Sequence, residues 1–331
     1  MTDMSQLPLL FLNRLGQILP AEHFAEVQRI FSLERPLTVR INSLKAGEAK
    51  IREELHQENI GFEQVPWDRQ ALILKNISGR KYFEHRLVKQ GYLYIQSLSS
   101  MLPALVLDPQ PGDFVLDLCA APGSKTTQIA ALMNNQGRIV AVEHIRGRYY
   151  KLRSVVEQLG VSNVHFIMSD GRKYRGEILP LFVRQDAGSK KFLNQQLFDK
   201  ILVDAPCSSE GRFRAADKES FAYWSPRKIK EMMQKQRGLL LSASRLLKPG
   251  GVLVYSTCTF APEENEGVVD WLLKKTQGIL QVAPVELPGV ERYPAVTAWG
   301  KKSFSKEVQH CFRVLPTEIM EGFFVAKLKK V

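Results

Sequence analysis

Two cysteines of this sequence follow predicted buried strands, at positions where a side chain can do chemistry. Cys207 ends the segment DAPC and Cys258 ends the segment STC. A single cysteine at a strand end is more often a small buried apolar residue than a nucleophile. Here both cysteines follow polar turn residues, and a thiolate with a lowered pKa is a strong nucleophile. The pair therefore indicates nucleophilic catalysis, with two buried core cysteines as the alternative.

Acidic residues also stand at the ends of the predicted strands. They are Asp117, Glu143, Asp170 and Asp204. In an open α/β sheet, ligands bind beyond the carboxyl ends of the strands, so we expect these carboxylates to surround one crevice. Carboxylates in that place suit a cationic ligand that carries ribose hydroxyls and an adenine amine.

The turn after the first of these strands is the second element of the predicted ligand site. Pro122 and Gly123 predict a tight turn, and Ser124 is predicted to cap the helix that follows. The turn lacks both G-x-G-x-x-G and the phosphate-binding G-x-x-x-x-G-K-[ST], which disfavours a nicotinamide cofactor and an NTPase. Glu143 lies about 20 residues past the glycine, where a carboxylate meets ribose hydroxyls. S-adenosylmethionine is therefore the predicted cofactor, and an ordinary βαβ turn is the alternative. The turn residues are Cys119, Ala120, Ala121, Pro122, Gly123, Ser124 and Lys125.

A nucleophilic cysteine beside a methyl donor suggests one reaction. Carbon 5 of a pyrimidine is not nucleophilic. Addition of a thiolate at carbon 6 makes carbon 5 an enamine carbon, which attacks a methyl sulfonium. A second thiol can help to undo the adduct.

The elements that must position these residues alternate between strands and helices. Short apolar runs predict buried strands at 114–118, 138–143, 164–168, 200–203 and 252–256. Helices are predicted from Ser124, over 146–159, from Pro226, and from Pro262 with Glu263 and Glu264 in its first turn. This alternation predicts an α/β fold with a Rossmann-like sheet, and an antiparallel pair near 309–315 and 322–327 gives it a reversed C-terminal edge strand.

The N-terminal part has a different pattern. Helical spacing to about residue 35 precedes the alternating segment LTVRIN at 37–42, which predicts a half-buried strand. A small helical plus α/β module is predicted over 1–92, and the larger α/β domain over 93–331. Arg40 and Asn42 are predicted to face away from the module's core, where they are available to RNA or to solvent.

Composition limits the class of protein. The chain has 331 residues and a net charge of +12, from 46 Lys and Arg against 34 Asp and Glu. Such a charge indicates a polyanionic partner, although surface charge for solubility explains it too. The absence of an apolar run of about 20 residues predicts no membrane span, and the start of the chain is a poor signal peptide, so a cytoplasmic protein is expected.

The spacing of the cysteines and of the basic residues adds two expectations. The four cysteines lie far apart, which rejects a zinc ribbon or a CxxC pair and predicts no metal. The segment at 184–196 is polar and is predicted to be a surface insertion. The basic residues cluster at Arg146, Arg148, Lys151 and Arg153; Arg172, Lys173 and Arg175; Arg212 and Arg214; and Arg227, Lys228 and Lys230.

Several segments together resemble one known family. VLDLCAAPGSKTTQIA, DAPCSSEG, YSTCTFAPEENEGVVDWLL and the closing FRVLP and EGFFVAKLKK are similar to the Sun/Fmu (NOL/NOP/Sun) family of S-adenosylmethionine-dependent RNA cytosine-5 methyltransferases. The resemblance covers about residues 36–330, and the paired Pro-Cys and Thr-Cys motifs are specific in combination. Ser124 departs from the family pattern, which usually has a second glycine there.

The resemblance implies a role for each site residue. Cys258 matches the nucleophile, Cys207 the cysteine that assists product release, and Asp204 the acid that contacts the cytosine. Cys119 to Lys125, Glu143 and Asp170 match the S-adenosylmethionine site, where Asp204 is also expected. The module at 1–92 resembles the family's RNA-binding part, and a monomer is expected.

Other functions remain open at this point. A non-catalytic RNA-binding or ribosome-assembly factor on the same fold is the main alternative. A DNA cytosine methyltransferase is disfavoured, because that class would place its sole nucleophile in the Pro-Cys motif. Ribosomal RNA is the favoured substrate, with transfer RNA second. Arg40, Asn42, Gln96 and Phe324 are weaker candidates for substrate contact.

Overall fold

The computed structural model describes residues 7–75, 77, 82–177 and 197–331. The insertion predicted at 184–196 lies outside the described residues.

Two helices open the described chain, and a four-stranded antiparallel sheet in the order β2-β3-β1-β4 follows them. Val39 and Ile41 of this sheet pack against Ile51 and Leu55 of a helix that covers one face. The elements are α1 (Leu9–Ile18), α2 (Ala21–Ile30), β1 (Leu37–Ile41), α3 (Glu48–Gln57), β2 (Gly61–Gln64), β3 (Ala71–Lys75), α4 (Arg86–Lys89) and β4 (Leu93–Ile95).

In the rest of the described chain, Ala298–Trp299 and Lys302–Ser303 form a separate two-stranded sheet, and the other strands form a larger mixed sheet. Its strand order is β11-β14-β15-β9-β8-β5-β6-β7, and β10 pairs with β15. The strands from β5 to β9 are parallel, whereas β15 runs antiparallel to β9. The elements are α5 (Leu98–Leu107), β5 (Phe114–Asp117), α6 (Ser124–Leu132), β6 (Arg138–Glu143), α7 (Arg146–Gln158), β7 (Val164–Met168), β8 (Phe198–Asp204), α8 (Pro226–Leu246), β9 (Leu247–Thr257), α9 (Glu266–Thr276), β10 (Leu280–Ala283), β11 (Tyr293–Pro294), β12 (Ala298–Trp299), β13 (Lys302–Ser303), β14 (Phe312–Val314) and β15 (Phe323–Lys330).

Helices cover both faces of this sheet. Val115 and Val254 point to the face that packs against α5 and α6. Leu116 and Leu253 point to the opposite face, against α8 and α9. This alternation is the pleat of a strand buried on both sides, so the Rossmann-like α/β fold predicted from the sequence is confirmed. The reversed strand is present as β15, and β14 and β10 cover its outer side.

Two predicted helix starts need correction. Helix α9 begins at Glu266, whereas residues 262–265 form a turn that holds Glu264 under the neighbouring loop. Ser124 is the first residue of α6 rather than its cap, because Gly123 takes the cap position in a left-handed conformation.

The packing of the N-terminal elements bears on the domain division. Strand β4 pairs with β1, so the small sheet extends to Ile95, past the boundary predicted at residue 92. Helices α1 and α2 pack against Phe213 and Phe260, which lie in the loops that follow β8 and β9. The division into two domains stays a prediction.

The residues predicted to face RNA from the small sheet are buried, because its second face packs against α5 and α6. The Arg40 guanidinium donates from Nε to Gln96 Oε1 and from Nη2 to Thr127 Oγ1, each over 3.0 Å. Asn42 donates to the carbonyls of Gly91 and Leu159. Exposures of 1% for Arg40 and 2% for Asn42 leave no surface for a substrate.

Phe324 also differs from the prediction. It is fully buried against Tyr255, and it is the preceding residue, Phe323, that lines a cavity. Gln96 lines the same cavity, although its side chain donates to Gln128 Oε1 and is 4% exposed. Of the four weaker candidates, Arg40, Asn42 and Phe324 are therefore closed to a substrate, and substrate contact by Gln96 stays a prediction. Among the described residues, no helix combines the length and the apolarity needed to cross a bilayer.

A buried ion pair ties β14 to the start of α9. Arg313 donates from Nε and Nη2 to the two carboxylate oxygens of Glu266, over 2.7 and 2.6 Å, and both residues are buried. Glu266→Ala leaves this guanidinium buried without its partner, so we expect a loss of about 3–5 kcal/mol in the free energy of unfolding. Urea denaturation measures it.

The matched control is Glu318→Ala. Glu318 pairs with Arg29 at the surface, where both side chains are more than half exposed. Its removal is expected to cost less than about 1 kcal/mol. Equal losses in the two variants would show that the Glu266 pair does not hold β14 in place.

Candidate active site

A cavity of about 440 Å³ opens at the carboxyl ends of β5, β8 and β9. From β5 the chain moves outward through β6 and β7, then returns to β8 on the other side of β5. Ligands bind at such a reversal in an open α/β sheet. Of the predicted site residues, the lining contains Cys119, Ala120, Ala121, Pro122, Ser124, Lys125, Asp204, Cys207 and Cys258.

The two cysteines meet in this cavity. The Sγ atoms of Cys207 and Cys258 lie 3.3 Å apart. The hydrogen bond from Cys207 and the positive charge of Arg212 lower the pKa of Cys258, in spite of its burial. The same hydrogen bond and burial raise the pKa of Cys207 well above its ordinary value. Of the two sulphurs, Cys258 is therefore the one that ionises more readily, and Cys207 is the one that holds its proton more firmly.

Two buried glutamates hold the cysteine loops against each other. Glu210, in the loop after β8, accepts hydrogen bonds at Oε2 from Thr259 Oγ1 and from the backbone N–H of Phe260. Glu264, after β9, accepts at Oε2 from the backbone N–H of Ser208 and from Gln236 Nε2. Each loop thus satisfies polar groups of the other, which fixes both sulphur atoms.

Asp204 stands beside the cysteines with two partners of its own. Its Oδ2 lies 2.7 Å from Nζ of Lys125, and its Oδ1 accepts from Ser256 Oγ over 2.8 Å. Lys125 also donates to Ser100 Oγ and is 7% exposed. The pair places one carboxylate and one ammonium group at the wall of the cavity.

The turn before α6 forms the other end of the cavity. Gly123 has φ of 113°, and a Cβ on it would lie 3.2 Å from side-chain atoms of Leu152 and Val155, so a larger residue would be strained there. Arg148 donates to the carbonyl of Ala121 over 2.7 Å. The turn backbone is thereby held between α7 and the cavity.

Two of the predicted carboxylates do not line the cavity. Glu143 is buried at the end of β6, and its Oε1 accepts from the backbone N–H groups of His144 and Ile145. Asp170 accepts from Nε of Arg172 over 3.0 Å, and this pairing lowers the pKa of its carboxyl group. Within the described part of the chain, no group of three or more His, Cys, Asp or Glu is placed to hold a metal ion.

Comparison with known proteins identifies the family. The family model described as 16S rRNA methyltransferase RsmB/F matches residues 104–329. A tRNA (cytosine(49)-C(5))-methyltransferase from Pyrococcus abyssi is 38% identical over 304 residues, which is 90% of each chain. The chain belongs to the RsmB/F methyltransferase family. The resemblance to Sun/Fmu RNA cytosine-5 methyltransferases is thereby confirmed, and with it an enzyme that uses S-adenosylmethionine.

Other relatives set the extent of the similarity. Ribosomal RNA small subunit methyltransferase F from Aeromonas salmonicida is 37% identical over the whole of this chain, which spans 65% of that longer relative. The crystal structure of a methyltransferase homolog from Pyrococcus horikoshii superposes with a TM-score of 0.78 at 31% identity, covering 98% of this chain and 100% of that one. The fold described above is thus shared with this methyltransferase homolog along its full length.

The cavity of this RsmB/F family member fits the family's cofactor. Asp117 lines it, and its buried Oδ1 has no hydrogen-bond partner among the described residues. Burial, opposed by a hydrogen bond from Thr126 and reinforced by the charge of Asp204, raises the pKa of Asp117 to about 6. An unpartnered carboxylate oxygen of this kind matches a cationic ligand with hydrogen-bond donors. The volume also lies within the usual range for small-molecule sites.

Sequence reasoning missed several residues that shape the cavity. Glu321, Phe323 and Ser209 line it, and Glu210 and Glu264 support it from below. The segment EGFFVAKL is apolar along both faces of its strand, so alternation does not show which phenylalanine reaches the cavity. The sequence predicts Glu264 in the first turn of a helix, because a carboxylate there interacts favourably with the helix dipole.

Glu264 makes stability depend on pH. Burial raises its pKa to about 8, against an ordinary value of 4.5. Between these values the unfolded chain is ionised at this residue while the folded protein keeps the proton. The free energy of unfolding should therefore fall as pH rises from about 5 to about 8, by at most about 1.4 kcal/mol per pH unit from this residue. Urea denaturation over this range measures the slope.

Glu264→Gln keeps both accepted hydrogen bonds and removes the titration, so the slope should become shallower. Glu210, whose pKa burial also raises, leaves part of it in place. Glu263→Gln, which changes a partly exposed partner of Arg14, serves as the control and should keep the wild-type slope. A Glu264→Gln profile that matches wild type would refute the buried neutral carboxyl group.

Proposed function

We propose that this enzyme methylates carbon 5 of a cytosine in RNA through a covalent adduct with Cys258. The single observation that carries the proposal is the pair of cysteine sulphur atoms, 3.3 Å apart at the wall of the cofactor-sized cavity. A core pair of cysteines has no need of a polarised hydrogen bond or of a solvent-open cavity. A nucleophile with a partner that handles protons needs both.

Cys258, Asp204 and Cys207 each have a separate role in the proposed reaction. The Cys258 thiolate adds to carbon 6 of the cytosine, which makes carbon 5 nucleophilic. Asp204, held by Lys125 and Ser256, contacts the cytosine and helps to activate it. When bound, S-adenosylmethionine supplies an electrophilic methyl group. Elimination then breaks the bond from carbon 5 to hydrogen and the bond from carbon 6 to sulphur: the proton passes to solvent with the assistance of Cys207, and Cys258 leaves as a thiolate.

The cofactor is proposed to bind along the turn from Cys119 to Lys125. Asp117 supplies the unpartnered carboxylate oxygen described above. Glu143 and Asp170 are proposed to complete this site from the ends of β6 and β7. Their present hydrogen bonds, to backbone N–H groups and to Arg172, hold both carboxylates at this end of the sheet.

RNA is proposed to reach the cavity with the target base turned out of its stack, because the cysteines lie inside a cavity. The net charge of +12 supports binding to phosphates. The four cysteines are free, which fits the reducing cytoplasm that we propose as its location, and the protein is proposed to act as a monomer.

Ribosomal RNA is the proposed substrate, because the family model and the relatives of the F type are named for small-subunit rRNA. Transfer RNA is the second candidate. The relative named for tRNA position 49 matches this chain along 90% of both lengths, whereas the chain spans 65% of the F-type relative from Aeromonas.

Substitution of each cysteine should block a different step of the reaction. Cys258→Ala removes the attacking thiolate, so methylation and covalent protein–RNA species should both be lost. Cys207→Ala permits addition and methyl transfer but slows elimination. Denaturing gels should then show the protein shifted by bound RNA, and the double variant should show no shift.

Cys311→Ala is the matched control, because Cys311 is fully buried in the sheet core away from the cavity. It should form no trapped species and retain methylation. Full methylation by Cys258→Ala would refute the covalent mechanism. Absence of methyl transfer by the wild-type protein on every RNA offered would favour the non-catalytic binding factor instead.

The RNA substrate is decided by bisulfite sequencing of total RNA from cells with the gene, without it, and with Cys258→Ala. Loss of 5-methylcytosine at a small-subunit rRNA position in the last two samples supports the ribosomal assignment. Loss confined to tRNA supports the second candidate and overturns the first.

A further inference from the structure

Arg212 is a charged residue of the cavity that the reaction above does not use. It lies in the short turn Glu210–Arg212, and its side chain is 62% exposed. It lines both the cavity with the cysteines and a larger neighbouring groove of about 1020 Å³. Its position at the junction puts a guanidinium beside the nucleophile.

The backbone fixes this turn to the nucleophile itself. The N–H of Gly211 donates to the carbonyl of Cys258 over 2.9 Å. A Cβ on Gly211 would lie 2.1 Å from the carbonyl oxygen of Gly322, so only glycine permits this approach. Glu210 is anchored by its bonds to Thr259 and Phe260. The residue next to Gly211 therefore cannot move far from Cys258 without breaking these contacts.

The charges that face Cys258 oppose one another. Cys207 donates a hydrogen bond to it, and Arg212 contributes a positive charge. Glu321 and Asp204 contribute negative charges, and Asp204 is itself paired with Lys125. Nε of Arg212 lies 3.5 Å from Oε1 of Glu321, which also accepts from Ser97 Oγ at its other oxygen. The ion pair of Arg212 with Glu321, at 3.5 Å, is thus longer than the 2.7 Å pair of Lys125 with Asp204, so the charge of Arg212 is less fully neutralised.

We propose that Arg212 is a positioning residue of this enzyme, which holds Cys258 as the thiolate before RNA binds, with Glu321 limiting its effect. The inference rests on the proposed role of Cys258 as nucleophile. Cys207 alone shares a proton with Cys258 and leaves the choice of sulphur open, whereas a cation whose backbone turn is bonded to Cys258 favours ionisation of that sulphur. The turn that carries Arg212 bonds to Cys258, and no such bond joins it to Cys207.

The test follows alkylation of Cys258 by iodoacetamide as a function of pH, read by mass spectrometry of the Cys258 peptide. It uses the free full-length protein, without RNA or cofactor. Arg212→Met should raise the pH at which the alkylation rate is half-maximal by about one unit. This value is at the low end of the pKa shifts that a neighbouring charge causes, because the Arg212 side chain is exposed. Below both midpoints the rate should fall roughly tenfold. Arg212→Lys should restore most of it.

Arg214→Met is the matched control. Arg214 lies two residues away on the groove, is 54% exposed and pairs with Asp217 over 2.9 Å. Its profile should match wild type. Glu321→Gln should shift the profile in the opposite direction, to lower pH, because it removes the opposing negative charge. The shift caused by Arg212→Met should shrink at high salt.

An Arg212→Met profile that coincides with wild type, or an Arg214→Met profile that shifts equally, overturns the inference. The outcome is independent of the proposed function. A shifted alkylation profile in a protein that methylates no cytosine would support the role of Arg212 and refute the reaction. Cytosine methylation with unshifted profiles would do the reverse.

Discussion

The contact between the sulphur atoms of Cys207 and Cys258 sets the demands on the structure around it. Two thiols at 3.3 Å titrate as a coupled pair, in which one sulphur keeps its proton while the other gives it up. The pair exists only if β8 and β9 end at the same level, and their register does this by placing Asp204 opposite Ser256. The loops beyond those strands have no sheet partners, so hydrogen bonds to Glu210 and Glu264 hold these loops together. A mobile loop on either side would separate the sulphur atoms and remove the charge difference between them.

The buried polar contacts between the small sheet and the larger one serve a related purpose. The buried Arg40 guanidinium loses its hydration and donates hydrogen bonds to Gln96 and Thr127. Its burial lowers the pKa of Arg40 to about 10. A buried guanidinium is costly to place, and its bonds are directional. It reaches into α6, the helix that starts at the turn in the cavity wall. We infer that the small sheet fixes the angle of α6, and with it the position of Lys125 in the cavity wall.

The sequence predicted the strands and the cavity residues where two independent signals agreed. Apolar runs ending in an acid or a cysteine predicted Asp117, Asp204, Cys207 and Cys258 at one edge of the sheet, because the carboxyl ends of parallel strands meet there. The same strand-end signal also predicted Glu143 and Asp170, which lie outside the cavity lining, and polarity used alone failed for the small sheet. Polarity placed Arg40 and Asn42 on the surface, but a polar side chain can be buried if its bonds are satisfied, and those partners lie far away in sequence.

Long sequence separation limited the prediction of the site as well. Glu264 and Ser208 meet across 56 residues, and Gly211 and Gly322 across more than 100. Nothing local marks such contacts. Whether an acid caps its own helix or accepts from a distant loop depends on the packing of both, so the start of α9 at Glu266 was not visible in the sequence.

The packing of α1 and α2 has a consequence for the way the protein is made. Phe11 packs against Phe213, and Phe31 packs against Phe260, both of which come much later in the sequence. At ribosomal rates of about 5–20 residues per second, the interval between the two segments is on the order of 10–50 s. During that time the first helices emerge with their apolar faces uncovered. The cysteine loops are therefore closed by a segment that is made well before them, and the cavity is completed only after β15 has brought Phe323 to its wall.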